Sequence, residues 1–283
     1  MDELLPRIPF ADWIDQLVDW LVATFGTVFD GIADFLEGVV EGSVDLLNMV
    51  PSILLAVLFA ALAWLISTRK VAIFTLIGLL FVDYLGYWYE MLQMLALVLT
   101  SVFFAVVVGI PIGIWGSQSS KVRKVINPIL DLMQTMPAFV YLIPAIFFFN
   151  IGVVPGVVAS VIFAMPPTIR LTMLGIQQVP SELIEATEAF GSTTWQRLGK
   201  VQIPLAKPTI MAGVNQSIML SLSMVVIASM VGAPGLGEEV YRSVTQLKTG
   251  VGFETGLSIV IVAIILDRIT QHAGKRKVGG KTI

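Results

Sequence analysis

Three carboxylates, Glu182, Glu185 and Glu188, recur at three-residue steps in the longest polar loop of an otherwise apolar chain. They belong to the run Glu185-Ala186-Thr187-Glu188-Ala189-Phe190-Gly191, and Val201-Gln202-Ile203-Pro204 follows ten residues later. Acids at such steps share one side of a helix. There is no cysteine, and His272 is the only histidine. Thiolate chemistry and disulfides are therefore excluded, and a histidine-based metal site has no second ligand of its kind. What the loop offers is recognition, as a structured charged projection held out to another protein. The plainer alternative is an amphipathic loop with a solvated face.

Local signals shape that projection. Pro180-Ser181-Glu182 opens a helix, with proline in the first turn and an acid near the positive end of the dipole. Gly191 suits the left-handed residue that closes a helix. Thr193 and Gln196 have capping-box spacing for a second helix. Pro204 is expected to end that helix, with the chain re-entering the membrane at Ala206–Pro208. The expected shape is helix, glycine turn, short helix.

The surrounding chain must hold this loop at a membrane. Of 283 residues, 56% are hydrophobic and 13% charged, against roughly a quarter charged in soluble domains. Spanning helices need about 20 mostly apolar residues. Seven candidates stand out: 50–67, 71–89, 92–115, 127–149, 153–175, 207–231 and 254–271. These runs are too long for barrel strands, so they predict an all-α polytopic membrane protein. Tyr87-Trp88-Tyr89-Glu90 forms an aromatic interface turn between the second and third.

Alternate connections carry Arg69, Lys70, Lys121, Arg123, Lys124, Arg197, Lys200 and Lys207, and the tail adds Lys275, Arg276, Lys277 and Lys281. The opposite side has only Arg7, Arg242 and Lys248, a twelve-to-three bias. The positive-inside rule then predicts an outside N-terminus, a cytoplasmic C-terminus and a cytoplasmic 176–206 loop.

The first fifty residues hold ten of the twenty acids. Asp12, Asp15 and Asp19, then Asp30, Asp34, Glu37, Glu41 and Asp45, line one helical face, opposite Trp13, Leu17, Trp20, Phe25 and Phe29. The expectation is one or two interfacial helices on the outer surface, bent or broken at Gly26 and Gly31. They lie on lipid, or they brace the spans or meet a partner. With one arginine and many acids, the segment lacks the charge of a secretory signal. A net charge of −3 gives no reason to expect nucleic acid.

Other polar residues read more weakly. The tail Gly274–Thr282 misses P-loop spacing and has no helix after it, so it reads as a basic patch at lipid headgroups and cannot hydrolyse ATP. Asp83 is expected at the outer interface, and Arg170 is expected to snorkel toward the cytoplasm. Pro137, Pro144, Pro166 and Pro167 suit kinked helices around a pathway. Gly109 with Gly113, and Gly152 with Gly156, suit close helix packing. Asn215, Gln216, Ser217, Ser221, Ser223 and Ser229 polarise the sixth span. Met136, Pro137, Asn215, Ser217 and Ser221 are the candidate lining of a translocation path, with interhelical hydrogen bonding as the alternative. Gly232–Gly237 forms an outer turn.

The spacing Glu185-Ala186-Thr187, three residues, Gly191, nine residues, Val201-x-Ile203-Pro204 resembles the EAA loop of ABC importer permeases. Thr187 replaces the second alanine of that pattern, and Val201 and Ile203 replace its isoleucine and leucine. The stretches Met136–Pro144, Ile184–Gly191, Lys200–Gln216 and Leu222–Met230 resemble the glycine betaine/proline betaine branch, the OpuA/ProU type. The resemblance covers about 92–271 and implies a type I (MetI-like) permease core working as two copies. It also implies a cytoplasmic ABC ATPase subunit, which holds the ATP and magnesium, and an extracytoplasmic solute-binding protein. No cofactor is expected in this chain, which would be a transport subunit and not an enzyme. Glu182, Glu185, Ala186, Thr187, Gly191 and Pro204 would couple it to the ATPase. The domain reading is then an acidic segment (1–49), two N-terminal spans (50–91), a permease core (92–272) and a basic tail (273–283).

The implied function is import of glycine betaine or another compatible solute in osmoprotection, through a multi-pass protein of the cell membrane. Choline or a second quaternary ammonium solute is the alternative. A secondary transporter would want paired intramembrane charges and an internal repeat, and an intramembrane hydrolase would want a nucleophile–base pair. The sequence has neither pattern.

Overall fold

The computed structural model describes residues 9–274, 277–278 and 281–282. Lys275 and Arg276 of the basic tail, and Arg7 near the start, lie outside the described residues. Apart from a two-residue ladder pairing Lys277 with Thr282, the described chain is helical.

Helix α1 (Phe10–Asn48) is one unbroken helix of 39 residues, which corrects the expected break at Gly26 and Gly31. A helical glycine costs only about 1 kcal/mol, too little to interrupt a helix whose far half is anchored. Leu36, Val40 and Val44 provide that anchor, buried against Ala96, Leu97, Val154 and Val157. The near half exposes Trp13, Leu17 and Trp20. After a 104° bend the chain enters α2 (Ser52–Ile66). Thr68 then caps α3 (Arg69–Tyr84) by accepting from the Val71 amide. Ser52 donates to Asp83 at 2.9 Å, so the acid at the end of α3 is held by the start of α2.

Tyr87 precedes α4 (Trp88–Gln118), and its hydroxyl donates to Glu254. Burial first, then the Glu254 carboxylate, pushes its pKa above the ordinary phenol value.

The fourth expected span, 127–149, is broken. Helix α5 (Ser120–Thr135) and α6 (Leu142–Phe149) are joined by a 3₁₀ turn at Ala138–Tyr141 and meet at 109°. Pro137 lacks an amide hydrogen and drives Met136 into extended backbone at ψ 132°. The freed Met133 carbonyl accepts from the buried Tyr141 hydroxyl, so the break is satisfied inside the protein.

The rest of the core is α7 (Val153–Gln177), α10 (Ile203–Ser229), α11 (Leu236–Thr245) and α12 (Thr249–Gly274). Four helical stretches are long and apolar enough to cross a membrane: 88–118, 153–177, 194–229 and 249–272. The bent pairs 10–66 and 120–149 bring the count to six if each is one span. Helices α2 and α3, with 15 and 16 residues, reach only about 23 Å against roughly 30 Å of hydrocarbon.

Helices α4, α7 and α10 pack at close range. A Cβ on Gly113 would stand 2.6 Å from Thr172 Cβ, and one on Gly156 2.9 Å from the Ala228 methyl. Gly152 takes no part in this packing. It precedes α7 and donates its amide to the Val231 carbonyl at 2.9 Å.

Candidate functional site

The polar loop folds into a braced knob between α7 and α10. Helix α8 (Ser181–Ala189) follows Pro180 and carries Glu182 in its first turn. Gly191 takes φ +73°. Its amide donates to the Glu188 carbonyl at 2.9 Å, and the Ser192 amide to the Thr187 carbonyl at 3.1 Å. That pair of bonds is a Schellman ending, which requires a left-handed residue at the glycine position. Helix α9 (Thr194–Arg197) begins with the expected capping box. Thr193 Oγ1 accepts from the Gln196 amide, and Gln196 Oε1 from the Thr193 amide. Arg197 forms an ion pair back to Glu188, so the two helices are tied across the turn.

Thr187 is easily accommodated. Its hydroxyl donates to the Ile184 carbonyl at 2.7 Å, so the polar atom is satisfied within the helix. Glu182, Glu185 and Ala186 are exposed. Among the described residues, neither Glu182 nor Glu185 forms an ion pair.

Pro204 does not end the second helix. A π-turn at Leu198–Gln202 carries the chain past it, and the helical path continues from Thr194 to Ser229. The wider turn removes the need for a proline amide and relieves the clash of its ring with the preceding carbonyls. The knob is therefore continuous with a membrane-crossing helix. Under it Leu198, Ala206 and Ile210 pack on Ile176, and the buried Gln202 accepts from Gln118 Nε2 at 3.3 Å.

Sequence reasoning missed the apolar side of the knob. Leu183, Phe190 and Trp195 are 44%, 93% and 79% exposed. Leu183, Ala186 and Phe190 fall at i, i+3 and i+7, so they form an apolar stripe beside the acids. The signal was legible as helical spacing of apolar residues inside a polar loop.

The structure does not bring the five path candidates together. Met136 and Pro137 form the break between α5 and the 3₁₀ turn. Asn215 Nδ2 donates to Asp267 Oδ1 at 3.0 Å, and Thr270 donates to Asn215 Oδ1, both on α12. Ser217 is buried against α7, donating to the Ala164 carbonyl and meeting the Thr168 hydroxyl at 2.7 Å. Ser221 is buried. Arg170 reaches Asp131 at 2.7 Å, joining α7 to α5.

A family model described as binding-protein-dependent transport system inner membrane component matches residues 105–278. The chain belongs to that family. As a member it is a multi-pass membrane permease with a MetI-like fold. It is 72% identical to the Bacillus subtilis glycine betaine transport system permease protein OpuAB, over 96% of this chain and 97% of that one. It is 54% identical to the glycine betaine/carnitine transport permease protein GbuB of Listeria monocytogenes, over 96% and 98%. The inward-facing methionine ABC transporter MetNI matches 65% of this permease and 94% of that chain, with a TM-score of 0.60 and 25% identity.

Proposed function

We propose that this permease imports glycine betaine, working as two copies with a cytoplasmic ATPase subunit and an extracytoplasmic binding protein. One observation carries the coupling part. The knob is rigid at its turn, through the Schellman ending and the Glu188–Arg197 pair, and runs on without a break into α10. A push on α8 therefore displaces a spanning helix. Glu182, Glu185 and Ala186 present the contact surface, Thr187 and Gly191 form the turn, and Pro204 sits where the knob joins the span. ATP and magnesium belong to the partner, since this sequence lacks P-loop spacing.

The solute reading is supported by relatives that match this chain over nearly its whole length and are named for glycine betaine. GbuB is also named for carnitine, which makes carnitine the competitor to include. The twelve-to-three bias of basic residues supports a cytoplasmic knob and C-terminus. An outside N-terminus follows when α2 and α3 each cross, their short length met by local thinning of the bilayer. The domain division at 49, 91 and 272 belongs to the same reading.

The experiment is uptake of labelled glycine betaine at high osmolarity, in cells lacking their own betaine transporters. Expression of the permease with its neighbouring ATPase and binding-protein genes should give uptake that needs all three. Uptake by the permease alone would overturn the ATP-driven reading. Uptake of carnitine but not betaine would reassign the solute.

A further inference from the structure

Helix α10 has one side that none of the described residues covers. Ala212, Gln216, Met219 and Ser223 are exposed along it at steps of three or four residues, so they form one stripe. Their neighbours point elsewhere. Asn215 is bonded to α12 and Ser217 to α7. Ile218 and Leu222 pack in the cluster with Ile261 and Met91, and Met224 packs on Tyr141.

Gln216 is the central residue of α10 (Ile203–Ser229), roughly 20 Å from either end at helical rise. Half the hydrocarbon thickness is only about 15 Å. The Gln216 amide makes no hydrogen bond among the described residues, whereas Ser223 is satisfied by the Met219 carbonyl at 3.0 Å. A primary amide at mid-membrane with no partner must face water or protein, because lipid supplies neither donors nor acceptors.

A second observation falls on the same side. Met136 and Ala138, at the helix break, share a cluster with Ile227, which follows Ser223 by four residues and so stands on the same side of α10. Pro137 and Phe139 are exposed there. Irregular backbone at membrane depth is tolerated where it is buried in protein or lines an aqueous cavity.

We infer that the α10 face carrying Gln216, Met219 and Ser223 lines a water-accessible translocation path, facing the break at Met136–Pro137 or its counterpart in the second copy. Asn215 and Ser217 hold helix packing, and Ser221 is buried with its hydroxyl unpartnered among the described residues. The lining is uncharged, with one amide, one thioether and one hydroxyl. It suits a dipolar solute that must pass without being held. This inference rests on the two-copy permease reading above.

The chain has no cysteine, so single substitutions report one position each. The assembled permease–ATPase complex in membrane vesicles is treated with a membrane-impermeant methanethiosulfonate bearing a trimethylammonium group. Gln216→Cys and Ser223→Cys should react at least tenfold faster than Phe103→Cys, an exposed site on the apolar surface of α4, and faster than Ser217→Cys. Their rates should also differ between nucleotide-free and vanadate-trapped complexes. Met219→Cys serves as the second probe if Gln216→Cys fails to assemble. Rates at 216, 219 and 223 that match Phe103→Cys in both states would overturn the inference. Reactivity does not depend on which solute is carried, so absent betaine uptake with reactive cysteines sinks the solute reading alone.

Discussion

Asn215 Nδ2 lies 3.0 Å from Asp267 Oδ1 and joins the middle of α10 to the far end of α12. The carboxylate is only 20% exposed and also accepts from Gln271 Nε2 at 2.7 and 2.8 Å. Interhelical hydrogen bonds in membranes contribute about 0.6 kcal/mol on average and up to about 1.7. Asn215→Leu should therefore lower the thermal midpoint in detergent slightly, while Asp267→Leu, which strands two donor groups, should lower it more. Neither change should alter the KM for the transported solute. A KM shift at Asn215 with an unchanged melting point would return that residue to the path.

Gly191 has open space around it, since a Cβ there would meet nothing within 4 Å. Its demand is purely one of backbone, at φ +73°. A non-glycine residue in that region costs roughly 1–2 kcal/mol, less for asparagine and more for a β-branched side chain. In the three-component uptake assay, Gly191→Val should separate ATP hydrolysis from transport and Gly191→Asn should keep most of the coupling. Equal transport by both variants would remove the turn from the coupling mechanism.

Phe190 and Trp195 are too exposed to hold the fold together. Buried aromatics anchor protein interfaces, where truncation of a central one costs 2 kcal/mol or more. Phe190→Ala and Trp195→Ala should melt within a degree or two of the parent, yet co-purify with markedly less ATPase subunit. Unchanged ATPase recovery in the double variant would place the docking contact on the acids alone.

Much of the knob was legible because caps and glycine turns are written in a few adjacent residues. Thr193 with Gln196 and Gly191 after α8 are read by local geometry, and each forms as expected. What was not legible depends on partners distant in sequence. Asn215, Ser217 and Ser221 share a polar sequence stretch with Gln216 and Ser223, but which side of α10 meets α7 or α12 is settled by tertiary packing. Proline misled in both directions. Pro137 breaks a span that hydropathy reads as continuous, while Pro204 is passed by a π-turn that no propensity announces. Gly26 and Gly31 misled for a thermodynamic reason: their helix penalty is real but small beside the packing that anchors α1.

That contrast among glycines is itself measurable. Gly113 faces α7 so closely that a Cβ would lie 2.6 Å from Thr172 Cβ and 2.8 Å from the Ile169 carbonyl oxygen. The backbone oxygen cannot rotate away, so Gly113→Ala forces α4 and α7 apart, and overpacking of this kind costs about 1–3 kcal/mol. Gly26 sits in a helix with nothing within 4 Å of an added Cβ, so Gly26→Ala should gain about 0.5–1 kcal/mol from reduced backbone freedom in the unfolded chain. Melting in detergent should move down for the first and stay level or move up for the second. A fall at Gly26→Ala as large as that at Gly113→Ala would mean that α1 is bent or covered at that point in the membrane.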